Sequence, residues 1–291
     1  MTTPRTVPGG IWLITPPSDG RLEAVLLAEP DVALLDLEDS VPPHGKDTAR
    51  TAAMAHLGAA PVHGVTVLGL RVNAPGTVHG LKDLVAVADA GLRDVVVLVP
   101  KVESARELEL VAQVLQETAT GVRVCALIET PRALLRLDRI FASPVLGGVV
   151  FGAADYAAAT GCRRTSSALW WARSSIAAAA AAHNIPSIDS PYFDLGNPEG
   201  LRRDALEARE MGFTGKGAVH PDQLPDIRAA FCPTEEEVAQ AQAIVSAADR
   251  SGGQMVRAGG QLVGPPLLAA ARSVLDQAGV LTELSVHGGS E

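Results

Sequence analysis

Short apolar stretches alternate along the chain with longer segments whose apolar residues recur at helical spacing. Eight stretches rich in Val, Ile and Leu predict strands at residues 11–15, 32–39, 66–73, 95–102, 122–130, 148–155, 185–189 and 214–220. The other segments predict helices at 19–29, 46–59, 78–90, 104–118, 131–139, 166–183, 197–211 and 222–230. Most of the strands are apolar throughout, which is typical of strands that are buried on both faces of a parallel sheet.

Eight strand–helix units in this length of chain predict a (β/α)8 TIM barrel, a fold that usually takes about 250 residues. The alternative is a doubly wound open sheet, in which a Gly-rich phosphate turn follows the first strand. The segment after the first predicted strand, PSDGRLEA, contains no GxGxxG pattern. The barrel is therefore the favoured fold.

The pattern changes after residue 231. Thr234 and Glu237 form a capping-box pattern at the start of a predicted helix, and a hairpin-like segment and a helix to about residue 278 follow. We therefore predict a barrel catalytic domain at residues 1–231 and a helical C-terminal appendage at 232–291. The apolar character of the appendage, with Pro265 and Pro266, suggests a subunit contact.

Composition narrows the class of protein. The 291 residues carry a net charge of −9, which disfavours binding to nucleic acid or to an anionic membrane. Cys125, Cys162 and Cys232 form no CxxC pair, as is typical of reduced cytosolic thiols. No apolar run is long enough to span a membrane, and the first residues lack a signal-peptide core. We expect a cytoplasmic protein without nucleic-acid or membrane partners.

Polar residues interrupt the apolar pattern near the carboxyl ends of the predicted strands, which is where barrels of this kind place their active sites. The set comprises Asp36, Glu38, Asp39, Arg71, Asn73, Lys101, Glu103, Glu129, Asp155, Asp189, Lys216 and His220. Their recurrence at one level predicts a polar site at this end of the barrel.

Glu129 and Asp155 are the candidate metal ligands. Two carboxylates at the ends of adjacent strands repel each other unless a cation lies between them, and Mg²⁺ commonly binds one or two carboxylates. The alternative is structural: Glu129 pairs with Arg132, and Asp155 caps the next helix. The spacing alone leaves both interpretations open.

Arg71 ends a predicted strand, where its planar guanidinium is suited to bind a substrate carboxylate through two hydrogen bonds. It could equally pair with Asp36 or Glu38, and the two roles are compatible. Lys101 is interpreted as an ion-pair partner of Glu103 rather than a Schiff-base lysine. One of Asp36, Glu38 and Asp39 is expected to face the barrel.

Three further features have structural interpretations. His220 is most simply a capping or packing residue. Asp189 either caps a loop or touches the site. Trp170 and Trp171 are expected to pack, or to make a subunit contact.

Several segments together carry a family resemblance. They are LLDLEDSVPPHGKDTAR (34–50), LRVNAPGT (70–77), VPKVESARELE (99–109), ALIETPRALL (126–135), GAADYA (152–157) and the segment 188–224. In this order they resemble the citrate lyase beta-subunit-like proteins, which belong to the aldolase/citrate lyase superfamily with the malyl-CoA and citramalyl-CoA lyases.

The resemblance implies a barrel of the phosphoenolpyruvate/pyruvate type and a Mg²⁺, or Mn²⁺ in its place, held by Glu129 and Asp155. It implies that Arg71 binds the substrate acid, and that Asp36, Glu38 and Asp39 form an acidic cluster beside the metal. The implied activity is a Mg²⁺-dependent carbon–carbon lyase or aldolase acting on a small 2-oxo or 3-hydroxy acid or its CoA thioester (malyl-, citramalyl- or citryl-like). The implied assembly is a homo-oligomer, a trimer or a hexamer.

Two departures from the family pattern qualify the CoA-ester activity. Gly10 and Ile11 stand where the CoA-ester lyases have an Arg-Ser pair, and Gly264 stands where they have an aspartate that acts as acid or base in a neighbouring subunit. These departures motivate an alternative: a catalytically altered member that binds a 2-oxo acid as a sensor, or as a subunit of a multi-protein lyase. A third possibility is an enzyme that acts on an acid without CoA.

Overall fold

Eight parallel strands form a closed barrel. The computed structural model of the chain describes residues 6–18, 21–59, 66–116, 120–250, 255–258 and 261–279. The strands are β1 (Gly10–Thr15), β2 (Val32–Asp36), β3 (Val67–Arg71), β4 (Val96–Val99), β5 (Arg123–Ile128), β6 (Leu146–Phe151), β7 (Ser187–Asp189) and β8 (Gly215–Ala218). Because β8 pairs with β1, with Gly215 opposite Gly10, the sheet closes on itself. The predicted (β/α)8 barrel is confirmed.

Helices alternate with these strands. They are α1 (Arg21–Leu27), α2 (Lys46–Ala59), α3 (Val78–Asp89), α4 (Ala105–Gln116), α5 (Pro131–Leu134), α6 (Leu137–Phe141), α7 (Ala153–Thr160), α8 (Ser166–Ala182), α9 (Pro198–Glu210) and α10 (Leu224–Phe231). The helix predicted at 131–139 is two short helices, because Arg136 adopts φ −130° and ψ 15° between them. Helix α7 was not predicted.

Alternate strand residues fill the inside of the barrel. The buried interior cluster comprises Val7, Trp12, Val32, Leu34, Val96, Leu98, Cys125, Leu127, Val150 and Ile188. Such packing makes the barrel interior a core rather than a pore. Burial raises the pKa of the Cys125 thiol well above its usual range.

The chain divides into two compact units, Met1–Arg228 and Ala229–Glu291. The second unit contains α11 (Glu235–Arg250), an antiparallel pair of strands β9 (Val256–Ala258) and β10 (Gln261–Val263), and α12 (Pro265–Gln277). The capping box is present, since the amide of Thr234 donates to Glu237 Oε2 (2.7 Å) and the amide of Glu237 donates to Thr234 Oγ1 (3.2 Å).

The second unit has its own small core of Ala241, Ile244, Val263, Ala271 and Leu275. That this unit makes a subunit contact stays a prediction, and the last residues, 280–291, lie outside the described part of the chain. Across the described residues, we find no helix with the length and apolar character needed to cross a membrane.

Candidate active site

The acidic residues after β2 come from the end of the strand and from its loop. Asp36 is the last residue of β2, so the prediction that the strand continues through Glu38 and Asp39 is wrong. The Asp36 carboxylate accepts hydrogen bonds from the amides of Glu38 (2.9 Å) and Ser40 (3.0 Å). These bonds turn the chain away from the sheet and leave all three carboxylates at the same end of the barrel.

Arg71, the last residue of β3, lies among these three carboxylates. Its Nε and Nη2 each donate to Asp36 at 2.7 Å, one to each carboxylate oxygen. Its Nη1 lies 3.0 Å from Glu38 Oε2 and 3.3 Å from Asp39 Oδ2. The strands set this arrangement, because Asp36 and Arg71 are register partners across β2 and β3.

The contacts with Arg71 and the degree of burial shift the pKa values of Asp36 and Glu38 in opposite directions. Burial alone would raise the pKa of Asp36, but the hydrogen bonds and charge of Arg71 and the bonds from Glu38 and Ser40 hold it below its usual range. Burial raises the pKa of Glu38, and the charge of Asp39 adds to this effect, against the opposing influence of Arg71 and Lys101. Asp36 is therefore a fixed anion, committed to holding Arg71.

Lys101 belongs to the same cluster rather than to the rim pair predicted with Glu103. Its ammonium contacts Glu38 Oε1 and lies 4.0 Å from Glu129 Oε1. Burial opposes the charge, but Glu38, Glu129 and Asp155 together raise the pKa of Lys101. A raised pKa is the opposite of what a Schiff-base lysine requires. The backbone at Lys101 is left-handed (φ 55°), and its amide donates to Glu129 Oε1 at 2.8 Å.

Glu129 follows β5 directly and is almost fully buried. The structural alternative of a pair with Arg132 is wrong, because Arg132 lies 3.5 Å from Glu103, which also accepts a hydrogen bond from Thr130. Gly152 makes room for Glu129: a Cβ at residue 152 would lie 2.5 Å from Glu129 Cβ.

Asp155 lies in the first turn of α7, not at the end of a strand as predicted. Strand β6 ends at Phe151 because Gly152 begins the helix as its N-cap. Asp155 is therefore not the capping residue, and its carboxyl group is left to interact with Glu129.

A divalent cation between Glu129 and Asp155 would offset the repulsion between their carboxylates. Burial raises the pKa of Glu129 to about 9, and the charge of Glu38 and the charge and hydrogen bond of Asp155 act in the same direction, against Lys101. A bound divalent cation would stabilise both carboxylates in their ionised form. No group of three or more His, Cys, Asp or Glu suited to a metal occurs among the described residues. The protein ligands would thus be these two carboxylates, with other oxygens completing the shell.

One cavity of about 460 Å³ joins these groups. Asp36, Asp39, Arg71, Glu129 and Asp155 line it, and so do apolar residues of the barrel interior and of the loop after β7. It thus brings together five of the six residues that the family resemblance implied for the site. The sixth, Glu38, holds Arg71 and Lys101 in place.

The other predicted residues have structural partners. Asn73 donates to Leu37 O and to Asp83 Oδ2. His220 accepts from the amide of Asp222 and begins the turn at 221–223, as the capping interpretation expected. Trp170 and Trp171 are more than half exposed, so they do not pack in this chain's core, and their subunit contact stays a prediction.

Asp189 and Lys216 belong to a buried ion network with Arg173 of α8. Lys216 Nζ donates to Asp189 Oδ2 (2.6 Å) and to Ser190 O (2.7 Å), and it lies 2.5 Å from Asp204 Oδ2. Arg173 pairs with the same Asp189 at 2.9 Å. Sequence reasoning missed Arg173, although a charged residue on the apolar face of a predicted helix was the available signal. The network holds Ser190, which lines the cavity.

The positions that depart from the CoA-lyase pattern lie in two places. Gly10 and Ile11 begin β1, whereas Ile14, Thr15 and Pro16 line the cavity at the other end of that strand. Five strand steps of about 3.3 Å separate the two ends, so Gly10 and Ile11 do not line this cavity, and their effect on CoA binding stays a prediction. Gly264 is the N-cap of α12, and a Cβ there would meet nothing closer than 3.7 Å.

Comparisons with known proteins show the family of this chain. The pattern of the HpcH/HpaI aldolase/citrate lyase family matches residues 17–221. The citrate lyase subunit beta of Haemophilus influenzae is 32% identical over 263 residues, which cover 86% of this chain and 89% of that protein. A (3S)-malyl-CoA thioesterase of Cereibacter sphaeroides is also 32% identical, over 85% of this chain and 86% of its own.

This chain is also similar in fold to a solved structure. CitE of Mycobacterium tuberculosis, in complex with magnesium, acetoacetate and coenzyme A, has a TM-score of 0.79 and 31% identity, and the match covers 94% of this chain and 98% of that one. The fold and the site define a (β/α)8-barrel protein with an acidic pocket at the carboxyl ends of its strands. This chain belongs to the HpcH/HpaI aldolase/citrate lyase family.

Proposed function

We propose that this chain is a Mg²⁺-dependent carbon–carbon lyase or aldolase. Its substrate is a small 2-oxo or 3-hydroxy acid, free or as a CoA thioester. The same site would catalyse the reverse reaction, in which the carbon–carbon bond is formed by condensation. The observation that carries the proposal is that Arg71 and the Glu129–Asp155 pair line one cavity of about 460 Å³. The same pocket thus contains Arg71, which can bind the carboxylate of the substrate, and two carboxylates that can bind the metal.

Glu129 and Asp155 would hold the metal, and the Lys101 amide keeps the Glu129 carboxylate oriented toward the cavity. Bound Mg²⁺ supplies a Lewis acid that polarises a substrate carbonyl oxygen. Arg71 lines the cavity and would bind the acid, with Asp36 fixing the plane of its guanidinium through Nε and Nη2. Its charge also stabilises negative charge that develops on substrate oxygen.

Asp39 is the best-placed proton acceptor among the three acidic residues that follow β2. Asp36 is held as an anion of low pKa by Arg71, which makes it a weak base. Asp39 lines the cavity, its side chain is 57% exposed, and one of its oxygens lies 3.3 Å from Arg71 Nη1. In the cleavage direction Asp39 would take the hydroxyl proton as the C–C bond breaks, so that the hydroxyl-bearing carbon becomes a carbonyl. The electron pair of the broken bond would pass to the other fragment as an enolate, which then takes up that proton on carbon.

Thioester hydrolysis is the second candidate. One relative is named a (3S)-malyl-CoA thioesterase. Gly264 also stands where the CoA-ester lyases carry the aspartate that serves a neighbouring subunit. The same cavity could bind the acid in either reaction. That the protein is cytoplasmic, and that it assembles as a trimer or a hexamer, both stay predictions.

The metal site is tested by calorimetric titration with MgCl2. Glu129→Gln and Asp155→Asn are expected to lose Mg²⁺ binding and to keep the circular dichroism spectrum of the wild type. The matched control is Glu103→Gln, because Glu103 is also a carboxylate at this end of the barrel but pairs with Thr130 and Arg132. Undiminished binding by both site variants would remove the basis for the proposed metal site.

The reaction is tested by assaying malyl-, citramalyl- and citryl-CoA and free 3-hydroxy acids, with and without Mg²⁺. Cleavage to a 2-oxo acid or aldehyde with an acyl fragment supports the lyase. Release of free CoA with the acid skeleton intact identifies the thioesterase. If Mg²⁺ binds and a 2-oxo acid binds but no substrate turns over, the altered, non-catalytic member is the correct description.

A further inference from the structure

The cavity extends below the charged residues into the barrel, where its lining is aliphatic. Leu98, Leu127 and Val150 belong to the interior core and also line the cavity, together with Ile14 of β1. We call these four residues the cavity floor. Leu127 and Val150 are register partners across β5 and β6, so they lie side by side.

The charged residues lie directly above this floor. Glu129 comes two residues after Leu127, and side chains two apart along a strand point to the same face. The charged groups close to the floor are therefore confined to one side of it, toward the opening. Below them, the four floor residues offer no hydrogen-bond donor or acceptor from their side chains.

This layering decides which part of a ligand fits where. A carboxylate is stabilised beside Arg71, whereas a second charged group on the floor would lose its hydration without a partner. An alkyl group on the floor would be stabilised by burial against the aliphatic side chains. A cavity of about 460 Å³ also has more room than a three-carbon acid fills, even with a metal ion beside it.

We propose that the acid bound at this site carries an alkyl substituent that occupies the cavity floor, so that Ile14, Leu98, Leu127 and Val150 determine the chain-length preference. This inference rests on the proposed function, because it assumes that a 2-oxo acid binds between Arg71 and the metal ligands. It adds the class of substrate: a branched or extended aliphatic acid rather than a dicarboxylic one.

The test measures binding by calorimetry on the full chain with MgCl2 present. The ligands are pyruvate, 2-oxobutanoate, 2-oxopentanoate and 4-methyl-2-oxopentanoate. We expect affinity to rise roughly fourfold for each added CH₂, the ratio equivalent to about 0.8 kcal/mol. Oxaloacetate provides the decisive comparison, since it matches 4-methyl-2-oxopentanoate in shape but places a carboxylate where the other has a branched alkyl group. We expect oxaloacetate to bind more weakly.

A variant links the preference to the floor. Ile14 is half-buried, so Ile14→Phe can add bulk to the cavity with little disturbance of the core. It is expected to abolish the gain in affinity for the longer acids. Leu135→Phe is the matched control, because Leu135 is 76% exposed and is not part of the cavity lining.

The outcomes separate this inference from the function on which it rests. Equal affinity across the alkyl series, or tighter binding of oxaloacetate than of its alkyl counterpart, would overturn the alkyl-acid inference and leave the proposed function standing. An Ile14→Phe protein that keeps the full chain-length gain would also overturn it. If no 2-oxo acid binds in the presence of Mg²⁺, the proposed function fails and the inference fails with it.

Discussion

Arg71 shows how one side chain links the stability of the site to its binding chemistry. The guanidinium uses one edge to hold Asp36 through two bonds of 2.7 Å and directs Nη1 toward Glu38 and Asp39. Lysine keeps the charge but has no planar fork, so it cannot hold both Asp36 oxygens and face the cavity at once.

Arg71→Lys is therefore expected to weaken binding of a 2-oxo acid by about 1–3 kcal/mol, the range for hydrogen bonds to charged groups. Calorimetry with pyruvate and MgCl2 measures the change. The control is Arg132→Lys, because Arg132 is exposed and lies 3.5 Å from Glu103. If Arg71→Lys and Arg132→Lys both bind pyruvate as the wild type does, Arg71 is only a structural partner of its neighbouring carboxylates, Asp36 and Glu38.

At the residue scale, the sequence predicted the charges but not all their partners. Arg71, Glu129 and Asp36 stood out because each interrupts or ends an apolar strand. The contact between Lys101 and Glu38 was not predictable, since it depends on a left-handed turn at Lys101 and on side chains from two loops. Residue type and spacing contain no signal for such a turn at a lysine.

At the scale of elements, the junction of β6 and α7 positions Asp155 against Glu129. The junction depends on Gly152, which begins the helix and lies against the Glu129 side chain. A Cβ at this position would lie 2.7 Å from Glu129 Oε2 as well as 2.5 Å from its Cβ. Both backbones are fixed by strands, so the clash cannot be relieved by a rotamer change alone.

Gly152→Ala is expected to lower the free energy of unfolding by about 1–3 kcal/mol, the usual range for overpacking. It should also weaken Mg²⁺ binding, because Glu129 must move. Urea unfolding and calorimetry measure the two effects. Gly58→Ala in α2 is the control, since nothing lies within 4 Å of the added Cβ. A Gly152→Ala protein with wild-type Mg²⁺ affinity would show that the contact is unimportant for the site.

The elements themselves were predictable, whereas their ends were less so. Apolar runs identified all eight barrel strands, because a strand covered on both faces has no polar positions to obscure it. The errors at 36–39 and 152–155 have a local cause. In the first, side-chain bonds to Asp36 end the strand, and in the second a glycine starts a helix inside an apolar segment.

At the scale of the whole molecule, a buried ion pair links β7 and β8, the last two strands of the barrel. Lys216 of β8 is fully buried and is held by Asp189 of β7, Asp204 of α9 and the carbonyl of Ser190. Without Lys216, the carboxylates of Asp189 and Asp204 would have to share Arg173, and loss of one partner from a buried ion network is strongly destabilising.

Lys216→Met is expected to lower the free energy of unfolding by about 3–5 kcal/mol. Urea unfolding at constant pH measures it. Lys82→Met provides the comparison, because the Lys82–Asp47 pair is exposed on both sides, and such pairs contribute at most about 1 kcal/mol. Similar losses in the two variants would mean that the buried network does not stabilise the closure of the barrel.

The buried position of Cys125 makes its thiol a chemical probe of barrel opening. Its thiol is fully buried on β5 and, with its raised pKa, is unreactive as long as the strands stay paired, whereas Cys232 is exposed. A thiol reagent therefore modifies Cys232 at once and Cys125 only when the barrel opens. The ratio of the Cys125 modification rate to the Cys232 modification rate reports how readily the barrel opens. A ligand that binds only the closed barrel would lower this ratio.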